Sequence, residues 1–132
     1  METNVQSNIV IAGTSHLTKR PHDTPCNVIE LMCEATQRAA EDAGNDAILS
    51  VVDQIIVPQG TWTINNPGGL VAQHLGIAAK SITYNVGILQ SSLIKRAIED
   101  VNAAKSRCTL IVGGEAKDYE RNVSESLHAI PT

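Results

Sequence analysis

Apolar positions along this chain change period several times, and each change marks an element. Asn8 to Ala12 (NIVIA) is a short continuous apolar run closed by Gly13, which predicts a first strand. From Val28 the period lengthens: Val28, Leu31, Met32, Ala35, Ala39 and Ala43 form one stripe, with Glu30, Glu34, Gln37, Arg38 and Glu41 opposite. That spacing predicts an amphipathic helix stopped by Gly44-Asn45. Ile48-Leu49 predict a helical turn, and Asp53 to Val57 a second strand ended by Pro58. Gln59 to Gly69 is dense in turn formers and reads as a loop. Leu70, Val71, His74, Leu75 and Ile77 then predict a short helix stopped at Gly76.

The stretch from Ile82 to Glu115 carries the clearest unit. Ile82-Thr83-Tyr84 is a β-favouring run broken at Val86-Gly87. Leu89, Leu93, Ile94, Ala97, Ile98, Val101 and Ala104 follow helical spacing, and Thr109 to Val112 is a buried-strand run ended by Gly113-Gly114. Strand, helix and strand in this order predict a βαβ unit. The whole chain therefore reads β-α-β-α-β-α-β: an α/β fold with a mostly parallel central sheet and helices on both faces. Residues 1–115 make the domain. Residues 116–132, with scattered Val123, Leu127 and Ile130, are a polar tail or the start of a loop region.

Composition narrows the partners. There is no Phe among the 132 residues and aromatics are 2%, so the core is aliphatic and no base-stacking platform exists. A net charge of −4, from 10 basic and 14 acidic residues, argues against nucleic acid or an anionic membrane. No apolar run approaches the ~20 residues of a membrane span. The start, METNVQSN, lacks the basic and apolar regions of a signal peptide. Cys26, Cys33 and Cys108 show neither zinc nor CxxC spacing and read as free thiols of a reducing cytoplasm.

Candidate chemistry centres on Asn85 to Gln90, where a strand hands over to a helix N-terminus at the edge where open α/β sheets bind ligands. His16 and His22 share a polar loop with Lys19, Arg20 and Asp23, but no acidic or Cys partner at regular spacing turns them into a metal site. Trp62, the only Trp, reads as a plug over the end of the core, and His74 as a structural residue beside an apolar stripe. Cys33 reads as a packing residue and Cys108 as a core thiol. The glycines after strands, Gly13 and Gly113-Gly114, form neither GxGxxG nor a P-loop.

Four segments in order carry a resemblance: IVIAGTSHLTKRPHD; VIELMCEATQRAAEDAG; DQIIVPQGTW followed by NPGGLVAQHLGI; and ITYNVG with LIVGGEA. Together they resemble the N-terminal part of thiolase-superfamily proteins of the acetyl-CoA acetyltransferase-like, sterol-carrier-thiolase-like group. The resemblance implies about four strands of the first of two similar halves. The rest of that half, the loop domain and the second half have no counterpart. It also implies an acyl-CoA acyltransferase lineage, a CoA thioester as substrate, and pairing of two copies through the region of Ile82 to Val86. In the family, the nucleophile is a Cys at the N-terminus of the helix after the third strand, where the helix end favours a thiolate. That slot falls at or beside Gly87, and the local sequence Asn85-Val86-Gly87-Ile88-Leu89-Gln90 holds no Cys. Ser91 and Ser92 follow within the helix, without an acid or His nearby to activate them. The expectation is a piece of a thiolase-like acyltransferase that is inactive alone. The alternative is a non-catalytic binding or assembly module of an acyl-CoA-processing complex. Size-exclusion behaviour separates the two.

Overall fold

Ile55, Ile56 and Val57 are all fully buried, so the middle strand is covered on both sides. The computed structural model describes residues 8–19, 26–85 and 87–116. Its three strands, β1 (Gln54–Pro58), β2 (Lys80–Tyr84) and β3 (Thr109–Ile111), form a parallel sheet in the order β2-β1-β3. Ile56 lies opposite Ile82 on one side and Ile111 on the other. Parallel strands need crossovers, and these are α2 (Pro67–Leu75) and α3 (Gln90–Asn102).

The pleat sends alternate β1 side chains to opposite faces. Ile55 and Val57 join Val71 and Ala72 of α2 and the buried side of α1 (Val28–Asp42) in the main core. On the other face, the Gln54 side chain reaches Asp100 of α3. The two crossover helices therefore lie on opposite faces of the sheet, as the sequence predicts.

α1 opens with a reciprocal cap: Asn27 Oδ1 accepts from the Glu30 N–H at 2.9 Å, and the Asn27 N–H donates to Glu30 Oε1 at 3.2 Å. Its buried side is Val28, Ile29, Met32, Cys33, Thr36 and Ala40, rotated from the predicted stripe. Thr36 enters the core because its hydroxyl is satisfied locally, donating to the Met32 carbonyl at 2.8 Å. The predicted helical turn at Ile48-Leu49 is a 3₁₀ helix, Asp46–Val51.

α2 starts three residues earlier than predicted. Pro67 takes the first helical position, where its missing N–H costs nothing, and Asn66 caps it. Gly68 belongs to the helix because α2 packs tightly on β2: a Cβ there would lie 2.6 Å from Ser81 Cβ.

Asn8 to Ala12 departs from the expectation. The run is not in the sheet, and Val10 and Ile11 are 73% and 72% exposed. The residues after it are fastened along α1 instead. Thr14 N–H donates to Asp42 at 2.9 Å, Ser15 Oγ donates to the Ala35 carbonyl at 2.6 Å, and Gly13 lies so close to the Ala39 carbonyl that a Cβ would overlap it. Among the described residues the sheet therefore has three strands rather than the four expected. The polar tail lies outside the described residues apart from Ala116.

Candidate functional site

The carboxyl ends of β1 and β2 are where the chain diverges. After β1 it turns to α2 on one face; after β2 it turns to α3 on the other. Such a divergence opens a crevice at the sheet edge. A cavity of about 320 Å³ lies there, lined by Gln59, Thr63, Ile64, Asn65, Asn66 and Thr83. Its lining contains carboxamides and hydroxyls but no charged side chain.

Local bonding shapes this cavity. The Gln59 N–H donates to the Tyr84 carbonyl at 2.8 Å, holding the ends of β1 and β2 together. Asn66 adopts a left-handed backbone (φ 50°), and its Oδ1 accepts from Ser81 Oγ and from the Gly69 N–H. On the far side, Glu115 binds the loop after β1 to the segment after β3. Its carboxylate accepts from Thr61 N–H at 2.7 Å and Thr61 Oγ1 at 2.8 Å. Trp62 is only 4% exposed, packs in the main core and donates from Nε1 to the Gly114 carbonyl at 2.9 Å. The sequence reading of Trp62 as a plug holds. Gly60 is required beside it, since a Cβ would run into the Glu115 carboxylate and Trp62 Nε1.

Among the described residues of the segment 85–90, none lines this cavity. Ile88 N–H closes a turn onto the Asn85 carbonyl at 3.4 Å, with Gly87 at φ +94°. Glycine suits this left-handed position. Gly87 is exposed, and no atom lies within 4 Å of where a Cβ would stand. α3 begins three residues later with Leu89 as its N-cap and no side-chain cap bond, so Ser91 and Ser92 are exposed first-turn residues without a capping role.

The three cysteines lie apart from this slot. Cys33 is buried in α1, and Cys26 and Cys108 are half-buried. Burial pushes all three thiols above their ordinary value. Glu30 adds to this at Cys33, and Asp53 at Cys108; at Cys26, Lys19 opposes the shift while Glu30 and Glu34 reinforce it. The Cys108 carbonyl accepts from the Asp53 N–H at 3.1 Å, placing this thiol at the amino end of the sheet, opposite the cavity.

Among the other sequence candidates, His74 is exposed on α2, its Nδ1 3.0 Å from the Leu70 carbonyl. His16 is exposed, and His22 lies outside the described residues. Among the described residues, no three His, Cys, Asp or Glu side chains gather as a metal site. None of the helices there is long and apolar enough to cross a membrane.

Sequence reasoning missed Gln59, Asn65, Asn66 and Thr83 as site-forming residues. The Asn-Asn-Pro run was a usable signal, since Asn before Pro marks a helix cap. Glu115 gave none, because its partner Thr61 is 54 residues away.

No protein-family model matches this sequence, and no curated protein matches it. The fold is similar to that of a monomeric SCP2-thiolase-like protein of type 1 from Mycobacterium smegmatis, with a TM-score of 0.58 and 22% identity. The match covers 80% of this chain and 23% of that one. The described chain therefore has the α/β fold of part of a thiolase-like protein, and it spans about a quarter of that protein's length.

Proposed function

We propose that this chain is part of a thiolase-like protein that handles acyl-CoA thioesters without forming an acyl-enzyme on this segment. Gly87 carries the reading. It occupies the turn from β2 toward α3, where the family resemblance puts the nucleophile, and it has no side chain with which to attack a thioester. The three thiols stand elsewhere with raised pKa values, and a thiol rather than a thiolate is a poor nucleophile. The crevice between β1 and β2 supports ligand binding at this edge, and its uncharged lining suits a neutral hydrogen-bonding group such as the amide-bearing arm of a thioester carrier.

Two measurements test this. The chain is incubated with acetyl-CoA and acetoacetyl-CoA, and its intact mass and free thiol production are followed. The expected result is no acyl adduct and no thiolysis. An adduct mapping to Cys26, Cys33 or Cys108 would overturn the assignment. Titration with acetyl-CoA, followed by amide chemical shifts, should move Gln59, Asn65, Asn66 and Thr83; shifts confined to other residues sink the binding half of the proposal.

A second reading is an assembly module. It is favoured by β2 and β3, which each pair with β1 alone among the described residues. Strand edges of this kind recruit another strand. Size exclusion of the 132-residue chain distinguishes it: a soluble monomer at all concentrations argues against it.

A further inference from the structure

α3 turns a mixed face to the sheet. Of its 13 residues only Leu93 and Asp100 are buried, 1% and 4% exposed. Seven residues are close to two turns, so both side chains lie on one line along the helix. The pair one residue on, Ile94 and Val101, has the same spacing and is apolar throughout. Burial of apolar surface alone would therefore turn α3 by about 100° and seat Ile94 and Val101 on the sheet. Instead Ile94 is 41% exposed, and a carboxylate takes the inner position.

What meets that carboxylate explains the choice. Gln54 is itself buried, and the pleat puts it on the same face of β1 as Ile56. Its Nε2 donates to Asp100 Oδ2 and to Thr109 Oγ1. Arg96 Nε, one turn back along α3, donates to both Asp100 oxygens. Turning α3 by one residue would set Val101 against the Gln54 amide and leave a buried donor with no acceptor on the helix. A slide by one turn fails as well. Leu89 could fill the place of Leu93, but Arg96, which only donates, would then meet the Gln54 amide. The opposite slide brings Ala97 and Ala104, whose side chains fill less space and accept nothing.

We propose that Gln54 and Asp100 are a positioning pair that fixes the rotation and register of α3, and through it the Gly87 turn that precedes the helix. Asp100 stands ten residues beyond Gln90, about 15 Å along the axis, so the pair acts on that turn through the helix and not by contact. Against an apolar pair of similar size, a buried ionic hydrogen bond adds little net stability; what this one adds is a single placement. The placement of α3 does not depend on the acyl-CoA reading; only the naming of the turn as the nucleophile slot does.

Nuclear Overhauser contacts to the Ile56 methyl groups, measured on the 132-residue chain, read which face of α3 meets the sheet. The wild type should show Leu93 alone. Gln54→Leu combined with Asp100→Leu should stay folded, with a urea midpoint close to the wild-type value. It should show contacts from both Leu93 and Ile94, with doubled or broadened amide signals from Ile88 to Leu93. Adding Ile94→Ser to that double variant removes the competing face and should restore the Leu93 set. Asp100→Asn keeps an acceptor for Gln54 and should keep the native contacts without the charge. A double variant with the native contacts alone, or one that fails to fold, would overturn the proposal, and so would Ile94 contacts in Asp100→Asn. No thioester enters this experiment, so its outcome is separate from that of the acetyl-CoA titration.

Discussion

Gln54 Nε2 donates to Asp100 Oδ2 at 3.0 Å, tying the first residue of the central strand to the last turn of α3. Arg96 Nε completes the arrangement, 3.1 Å from both Asp100 oxygens, and Gln54 also reaches Thr109 Oγ1 at 3.3 Å. Nearby, Asp53 accepts from Ser106 Oγ at 2.6 Å and from the Arg107 N–H at 2.9 Å. The amino end of the sheet is thus closed by polar bonds, which leaves the carboxyl end as the open one.

These bonds make the fold acid-sensitive in a defined direction. The Gln54 hydrogen bond, with help from Arg96, holds Asp100 below the usual carboxylate range. Burial alone would raise Asp53, but Ser106 and the backbone N–H groups of Arg107 and Cys108 outweigh it and lower it. A depressed folded-state pKa stabilises the fold fully above the unfolded value of about 3.9, and that contribution is lost as pH falls through the folded pKa. Urea melts should therefore give a flat midpoint from neutral pH to about pH 5 and a falling one below it. Gln54→Leu should lower the neutral-pH midpoint and flatten the acid fall. An unchanged acid limb would show that the Gln54 bond does not hold Asp100 down.

Trp62 should act as a clamp between the loop after β1 and the segment after β3. Trp62→Phe removes the bond to the Gly114 carbonyl and should cost about 1 kcal/mol. Trp62→Ala also leaves a cavity and should cost about 3–5 kcal/mol. Denaturant melts followed by circular dichroism check both. The native fluorescence of this single Trp should be blue-shifted and move red on unfolding, because its ring is buried.

The fold was legible where one residue type decides it. The boundaries near Pro58 and Gly76 come from breakers; the run at Thr109 is a strand as its composition predicts, but Thr109, Leu110 and Ile111 are half-buried rather than covered on both faces. Thr36 is absent from the predicted stripe because a sequence pattern does not show the Met32 carbonyl that satisfies its hydroxyl. The run at Asn8 reads as a strand because its composition demands burial; the contacts of Thr14 and Ser15 with α1, 20 to 28 residues on, are not visible in that pattern. The site was half legible for the same reason. The strand-to-helix turn at Gly87 shows in the sequence, whereas the cavity depends on Gln59, Asn66 and Thr83 meeting across two parallel strands.

Thr36→Val should be nearly neutral. The substitution keeps the side-chain shape and removes a hydroxyl that bonds only within its own helix, a bond that slightly weakens helices. The expected change is within about 1 kcal/mol in either direction, since the loss of one local bond and the gain of apolar burial oppose each other. A larger loss in thermal melts would mean that the hydroxyl has a second role in the core.

Alkylation should rank the thiols by burial. Cys33, inside the core, should be protected in the native protein and react only after unfolding; Cys26 and Cys108 should react slowly at neutral pH. Raised pKa values keep all three protonated there, so the rates should climb only above the ordinary thiol value of about 8.5. Iodoacetamide labelling read by peptide mass spectrometry checks this, and fast labelling of any one thiol at pH 7 would reveal an activated cysteine.

Gly87→Cys joins the conformational argument to the chemical one. At φ +94° a β-carbon is strained, and the substitution should cost about 1–2 kcal/mol. Gly87→Asn, a residue that tolerates left-handed backbone, should cost less. No neighbouring atom blocks the new thiol, so it should label faster than the three native ones. If its rate is also high below the ordinary thiol pKa, the first turn of α3 stabilises a thiolate at this position, and the turn keeps an electrostatic setting for a nucleophile that the sequence lacks. If it labels only as an ordinary exposed thiol, Gly87 sits too far ahead of Gln90 to feel the helix end, and the nucleophile slot moves to a neighbouring residue.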